Sequence, residues 1–364
     1  MTSARYVSVV MTMGEEPLTY REAGVDERSE ERALSLLLRH LAGTLSSLPE
    51  EDILVPFGYF AAVVRVREDL ALAVSADGVG TKVLIAQMLS RYDTIGIDGI
   101  AMNVNDVLCV GARPFLFLDY LAVEEVRPEV VEAIGRGLAD GARQAGVAIV
   151  GGELAQVRDL IKGHRSGVGF DLVGFCVGLV SPDKVITGQD LQIGDVLIGL
   201  PSSGIHSNGL TLARKVLFDR ARLKPDQFIP ELATTVGEEL LKPTTIYVSP
   251  VLSLMEKVAV TGLFHITGGG LKNLLRTAKP ASFVLDRWTE VPPIFSLIQH
   301  YGSVPEEEMW TTFNMGIGFC VLVRETDATK ALEHLKEAGA LPIGQVRALG
   351  ERKVSLTWNG LTVG

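Results

Sequence analysis

The sequence predicts an α/β protein built from two domains. Three observations lead there. The chain has 364 residues, more than one compact domain usually holds. Short runs of Val, Ile and Leu alternate with longer stretches whose apolar residues recur at helical spacing. Glycine is abundant, at 38 residues, and clusters between those runs, which suits α/β units whose turns carry the chemistry.

Composition narrows the function classes. Hydrophobic residues make up 47%, enough for a sizeable core, yet no uninterrupted apolar run reaches the roughly 18 residues of a membrane span. The first residues lack the charged-then-apolar pattern of a signal peptide. A soluble, cytoplasmic protein with no membrane partner is expected. The net charge of −10 argues against a general nucleic-acid binder. Cys109, Cys176 and Cys320 stand far apart in apolar surroundings and read as buried small hydrophobes, not as a disulfide or zinc set.

The elements follow in order. Residues 1–19 read as a loosely structured N-terminal segment, residues 20–182 as an N-terminal domain and residues 190–364 as a C-terminal α/β domain. A helix is expected over residues 29–48, with Leu34, Leu37, Leu38 and Leu41 on one face. Residues 60–67 and 70–75 read as a strand pair around Glu68-Asp69. Helices follow at 82–90 and 94–107, the second so poor in charge that burial is expected. Residues 114–122 read as a strand and 127–145 as an amphipathic helix opened by Pro128. Residues 148–150 read as a short buried strand that ends at Gly151-Gly152-Glu153, and 170–180 as another. The polar stretch 181–190 marks the boundary. Beyond it, strands are expected from 195, 319 and 354, and helices after residue 209, around 246–258, at 271–278 and at 326–338.

The run Ser75-Ala76-Asp77-Gly78-Val79-Gly80-Thr81-Lys82 carries the strongest chemical signal. It places a carboxylate, two glycines, a hydroxyl and a lysine at a strand-to-helix junction. Asp77 can hold Mg²⁺, Gly78 and Gly80 let the backbone approach a phosphate, and Lys82 adds a point charge. The free N–H groups around Thr81 at the helix start favour anions. The run matches neither a Walker A loop nor a dinucleotide fingerprint. Asp77, Asp106 and Glu153 each sit beside glycine or asparagine after a buried element. They read as a carboxylate set for Mg²⁺, with Asn105 as a neutral oxygen. Capping roles are the alternative reading.

His206 lies among Ser202, Ser203, Gly204, Ser207, Asn208 and Gly209, a loop small and polar enough to wrap a phosphoryl group. A histidine there is a candidate for proton transfer, with Ser203 and Asn208 beside the phosphates. Thr267-Gly268-Gly269-Gly270 is a further anion-binding candidate, the alternative being an interdomain turn.

Seven segments, at residues 20–26, 77–82, 93–106, 151–153, 202–209, 265–271 and 313–318, stand in one order. In that order the chain resembles the phosphoribosylformylglycinamidine cyclo-ligase, or aminoimidazole ribonucleotide synthetase, family from about residue 19 onward. The resemblance implies an ATP-dependent ring closure of formylglycinamidine ribonucleotide to aminoimidazole ribonucleotide, with release of ADP and phosphate, in purine biosynthesis. It implies that ATP phosphorylates the formamide oxygen before a nitrogen attacks that carbon. It also implies Asp77, Asp106 and Glu153 near Mg²⁺, Lys82 and the 78–81 loop near phosphates, and His206 at the reacting centre. A homodimer, with N-terminal strands paired into a barrel, is implied as well.

Two segments depart from the family pattern. A glycine-rich G-G-F-G-G loop is usual before the first strand pair, whereas this chain reads Pro56-Phe57-Gly58-Tyr59-Phe60-Ala61. The usual G-G-E-T-A-E-M-P becomes Gly151-Gly152-Glu153-Leu154-Ala155-Gln156-Val157-Arg158. These keep open a related ATP-dependent enzyme with another small substrate, or a silent nucleotide-binding paralogue. A selenophosphate synthetase would need a reactive cysteine near the phosphate loop, and none precedes Cys109.

Overall fold

The computed structural model describes residues 17–364, so the loosely structured segment expected over 1–19 lies almost wholly outside the described residues. Two sheets organise the rest. The first has six strands: β1 (Ile53–Val55), β2 (Ala62–Arg67), β3 (Leu70–Gly78), β4 (Arg113–Val123), β5 (Ala148–Gln156) and β6 (Phe170–Val180). Their order is β1-β2-β3-β6-β4-β5, antiparallel throughout except for β4 with β5.

Strand alternation gives this sheet two different faces. Ala71, Ala73, Phe117, Leu121, Leu172 and Cys176 are buried beneath helices α3 (Asp93–Leu108) and α4 (Pro128–Ala145). Val74, Phe115, Leu118, Tyr120 and Phe175 remain exposed on the opposite side. Helix α3 is buried on nearly every side, as its lack of charge predicts. It lies against α4 main chain to main chain, because a Cβ at Gly96 or Gly137 would run into the other helix's backbone. Helix α2 (Lys82–Leu89) leads from β3 into α3 and ends at Ser90 in the left-handed conformation. At the N-terminal edge, α1 (Glu27–Leu41) starts on an Asp26 cap and leaves Leu34, Leu37 and Leu41 uncovered.

The second sheet has the order β10-β12-β7-β13-β11-β14-β15. Its strands are β7 (Val196–Pro201), β10 (Val260–His265), β11 (Ala281–Leu285), β12 (Ile317–Val323), β13 (Leu341–Leu349), β14 (Lys353–Leu356) and β15 (Thr362–Val363). Here β11 with β14 is the parallel pair. A small hairpin, β8 (Phe228–Ile229) with β9 (Thr234–Thr235), stands apart. Strand β12 is buried at every residue, hence its unbroken apolar sequence. Around the sheet lie α5 (Leu210–Arg214), α6 (Val236–Leu240), α7 (Val248–Met255), α8 (Pro293–Gly302), α9 (Glu306–Thr312) and α10 (Ala328–His334). The protein is thus an α/β molecule with two mixed, mainly antiparallel sheets. No helix among the described residues is long and apolar enough to cross a membrane.

Two expected boundaries shift in ways that matter. Strand β3 runs on through Asp77 and Gly78, because β6 continues to pair with it as far as Val173. Strand β5 runs through Gly151-Gly152-Glu153, because β4 supplies parallel partners along its whole length. The Gly-Gly-Glu segment is therefore an edge strand, not a loop, and because β5 is the sheet edge its residues 148–150, expected to be buried, are exposed.

Candidate active site

Asp77 sits near the end of β3, where α3 comes closest to the sheet. Asn103 of α3 clamps it, accepting from the Asp77 N–H at 2.9 Å and donating to the Asp77 carbonyl at 3.1 Å. The clamp needs Gly174 on the neighbouring strand, since a side chain there would strike the Asn103 amide. The Asp77 carboxylate accepts from the Gly78 N–H at 2.7 Å. Burial, reinforced by the nearby charge of Asp106, pushes the Asp77 carboxyl up to about 6. Asp106, three residues beyond Asn103, lies 2.8 Å through Oδ1 from Nδ1 of His265 at the end of β10. The structure thus brings Asp77 and Asp106 together at the seam between the two sheets. His265, fully buried, is the nearest basic partner of the pair.

Other expected members go elsewhere. Glu153 lies three strands away in the order β3-β6-β4-β5, opposite Tyr120 on the edge strand, so one chain does not bring it to the acid pair. At about 4.8 Å per strand the gap is roughly 14 Å. Asn105 offers no free oxygen to a metal: its Oδ1 accepts from the Tyr247 N–H at 3.0 Å and its Nδ2 donates to the Thr245 carbonyl at 2.9 Å. It ties α3 to the C-terminal half instead.

Lys82, expected near phosphates, is paired with an aspartate. Its Nζ is fully buried, 2.7 Å from Asp98 Oδ1 and 2.5 Å from the Lys242 carbonyl. The same Asp98 oxygen accepts from Ser207 Oγ and from the N–H and hydroxyl of Thr244. Lys82 begins α2 with its side chain turned inward between the two halves of the molecule. Asp98 is the charge that spacing alone did not mark out. Its signal was a carboxylate in the middle of a helix otherwise uncharged between Asp93 and Asp106.

His206 is likewise enclosed by its own surroundings. It adopts φ +62°, is almost fully buried, and its Nε2 accepts from the N–H groups of Ser203 at 3.2 Å and Thr245 at 3.4 Å. Two donors on Nε2 place the proton on Nδ1, which is buried without a partner. Burial holds the imidazole well below its usual range, with the charges of His265 and Lys82 adding to the effect. Ser203 is also committed, donating through Oγ to the Pro243 carbonyl at 2.6 Å.

The glycine-rich turns do converge. Gly80, at φ +68°, stands with its open side about 3.9 Å from the Ser207 carbonyl, and the hydroxyls of Thr81 and Thr211 lie 3.0 Å apart. Asn208 points its Oδ1 at Gly268, where a Cβ would stand 3.2 Å away. Gly269 and Gly270 both have positive φ, and Asn273 pins their turn by donating to the carbonyls of Gly268 and Gly270. Gly80 and Thr81 thus meet the 207–211 loop, and Asn208 carries that contact on to Gly268, with Gly78 following Asp77 on β3 and Gly269 following Gly268 in its turn.

Residues 58–180 match the model of the AIR synthase related protein N-terminal domain, and residues 192–357 match that of its C-terminal domain. The chain belongs to the AIR synthase family. Its relatives within that family agree over nearly the full length. It is 49% identical to the phosphoribosylformylglycinamidine cyclo-ligase of Methanothermobacter thermautotrophicus over 334 residues, 92% of this chain and 95% of the relative. The enzyme of the same name from Methanobrevibacter smithii is 49% identical over 321 residues, 88% and 91% of the two chains. Among solved structures, the thiamine-monophosphate kinase of Stenotrophomonas maltophilia shares the fold at TM-score 0.57 and 20% identity, over 90% of this chain and 96% of that one.

Proposed function

We propose that this AIR synthase family member is an ATP-dependent cyclo-ligase. It closes the imidazole ring of aminoimidazole ribonucleotide from formylglycinamidine ribonucleotide and releases ADP and phosphate. The observation that carries the reading is the Asp77–Asp106 pair at the meeting point of the glycine-rich turns, in a chain whose relatives at 49% identity bear the cyclo-ligase name.

The pair suits Mg²⁺. The charge of Asp106 adds to the raised proton affinity of Asp77, a repulsion that a divalent cation relieves, and Mg²⁺ ordinarily takes one or two carboxylates, leaving the rest to phosphates and water. Asp77 and Asp106 would hold Mg²⁺, which when bound neutralises charge on a transferring phosphoryl group. The turns at 78–81 and 267–270 line the phosphates with backbone N–H groups. His265 orients Asp106, and the Asn105 and Lys82 contacts hold the two halves closed against water.

The same reading includes a homodimer. Val74, Phe115, Leu118, Tyr120 and Phe175 form an exposed apolar sheet face of the kind that marks an interface, and β5 offers an unpaired edge beside it. The partners are thus a second copy and small molecules, in the cytoplasm. The deciding assay follows ADP release with Mg·ATP, with and without formylglycinamidine ribonucleotide, while measuring aminoimidazole ribonucleotide. Equal, substrate-dependent yields of ADP and product are expected. ATP binding without substrate-dependent turnover would overturn the reading.

A further inference from the structure

We propose that the cavity between the 54–59 loop and the 275–278 turn is a phosphate-monoester subsite, in which Arg276 and Tyr59 hold the phosphoribosyl end of the substrate. The proposal rests on the cyclo-ligase reading and assigns it residues that the motifs did not mark.

The cavity has a volume of about 410 Å³, enough for a sugar phosphate. Its walls come from both halves of the molecule: Leu54, Phe57 and Tyr59 on one side, Arg276, Thr277 and Arg352 on the other. Arg352 is committed to structure, donating to the carbonyls of Leu275 and Thr277 and to the Thr277 hydroxyl. That locks the turn which presents Arg276. The Arg276 guanidinium carbon lies 5.1 Å from the centre of the Phe60 ring, a contact that orients the cation without cancelling its charge. No carboxylate among the described residues lies within ion-pair distance of it.

Tyr59 supplies the second group. It lines the cavity, and its hydroxyl is buried without a hydrogen-bond partner. Buried hydroxyls are ordinarily satisfied, so an orphan beside an unpaired arginine marks a place where a ligand oxygen is missing. The cavity's 275–278 wall follows directly on the helical turn Gly270–Leu275, which leads out of the glycine-rich segment at 267–270.

The donor set selects the ligand. A nucleotide triphosphate travels with a divalent cation and needs carboxylates, which Asp77 and Asp106 supply. This cavity offers a guanidinium, a hydroxyl and apolar walls, which suit a metal-free monoester dianion. The protein is acidic overall, so local cations must draw in an anionic substrate.

The test uses the full-length protein with Arg276→Ala, Arg276→Lys and Tyr59→Phe. Steady-state kinetics give the KM for formylglycinamidine ribonucleotide and for ATP, calorimetry gives the affinity for ribose 5-phosphate, and thermal unfolding checks the fold. Arg276→Ala is expected to raise the KM for the ribonucleotide about tenfold or more and to abolish ribose 5-phosphate binding, with the KM for ATP nearly unchanged. Arg276→Lys should recover part of the loss, and Tyr59→Phe should raise the same KM several-fold. A rise in the KM for ATP alone assigns the arginine to the nucleotide and overturns the proposal. Unchanged constants in a folded Arg276→Ala variant overturn it too. A more stable Tyr59→Phe protein with wild-type constants removes Tyr59 from the subsite. If the wild-type protein binds ribose 5-phosphate through Arg276 yet turns over no ribonucleotide, the cyclo-ligase reading fails while the subsite stands.

Discussion

Lys82 and Asp98 form a fully buried ion pair, Nζ to Oδ1 at 2.7 Å, across the junction of α2 and α3. The Lys242 carbonyl completes the lysine's coordination from the C-terminal half, and Thr244 adds two donors to the same aspartate oxygen. Burial lowers the pKa of Lys82, and the charge of Asp98 opposes that shift. The pair is a polar bolt between the domains, at the place where the motif suggested a phosphate ligand.

Lys82→Ala should therefore act on stability first. It leaves Asp98 buried and charged without its partner, a loss of about 3–5 kcal/mol for pairs of this kind. Lys82→Ala together with Asp98→Ala should be less damaging than the sum of the single changes, since the two residues share one interaction. Urea unfolding of the four proteins measures this. A stable Lys82→Ala variant whose sole defect is a higher KM for ATP would return the lysine to the phosphates.

What was legible in the sequence was what a single segment decides. Asp77 at a strand-to-helix junction and the buried character of α3 follow from local pattern, as does the opening of α4 at Pro128. The partners were not legible. Asp98 and Lys82 are 16 residues apart on different helices, and only tertiary packing places Lys242 and Thr244 over them. Glu153 was misplaced because two glycines suggest a loop, whereas pairing with β4 overrides their weak strand preference. His206 stood in a polar loop that residues 243–245 cover, so composition suggested an exposure that the fold removes.

His206 gives a second prediction. His206→Ala leaves the N–H groups of Ser203 and Thr245 unpaired in the interior, which should cost about 1–3 kcal/mol per group left without water. His206→Asn keeps an acceptor and tolerates the positive φ, so it should be milder. Because the imidazole is held neutral, the pH dependence of kcat in His206→Asn should keep its wild-type shape. Loss of a limb near neutral pH in that variant would make His206 a proton carrier after all.

The open sheet face gives a third. Phe175 on β6 and Leu118 on β4 are cross-strand neighbours, both exposed and apolar. Phe175→Asp with Leu118→Asp places two charges where the second copy is expected to pack. Sedimentation equilibrium should show a dimer for the wild type and a monomer for the double variant, with unchanged far-ultraviolet circular dichroism. A wild-type monomer at micromolar concentration would remove the dimer, and a dimeric double variant would move its interface elsewhere.

The acid pair gives the last, through its charge. In the unfolded chain Asp77 titrates near the ordinary value of about 4, but in the folded, metal-free protein it is pushed up to about 6. Between those two values the folded state holds a proton that the unfolded state has released. Stability of the metal-free protein should accordingly fall as pH rises from about 4 to 6 and change little from this source above that. Asp77→Asn keeps an oxygen for the Gly78 N–H and removes the charge. At pH 8 the variant should be more stable than the wild type by about 2–3 kcal/mol, and near pH 4 the two should coincide. It should lose Mg·ATP binding over the same range. The combination separates a ligand from a structural acid: a structural aspartate would make the variant less stable at both pH values and leave nucleotide affinity intact.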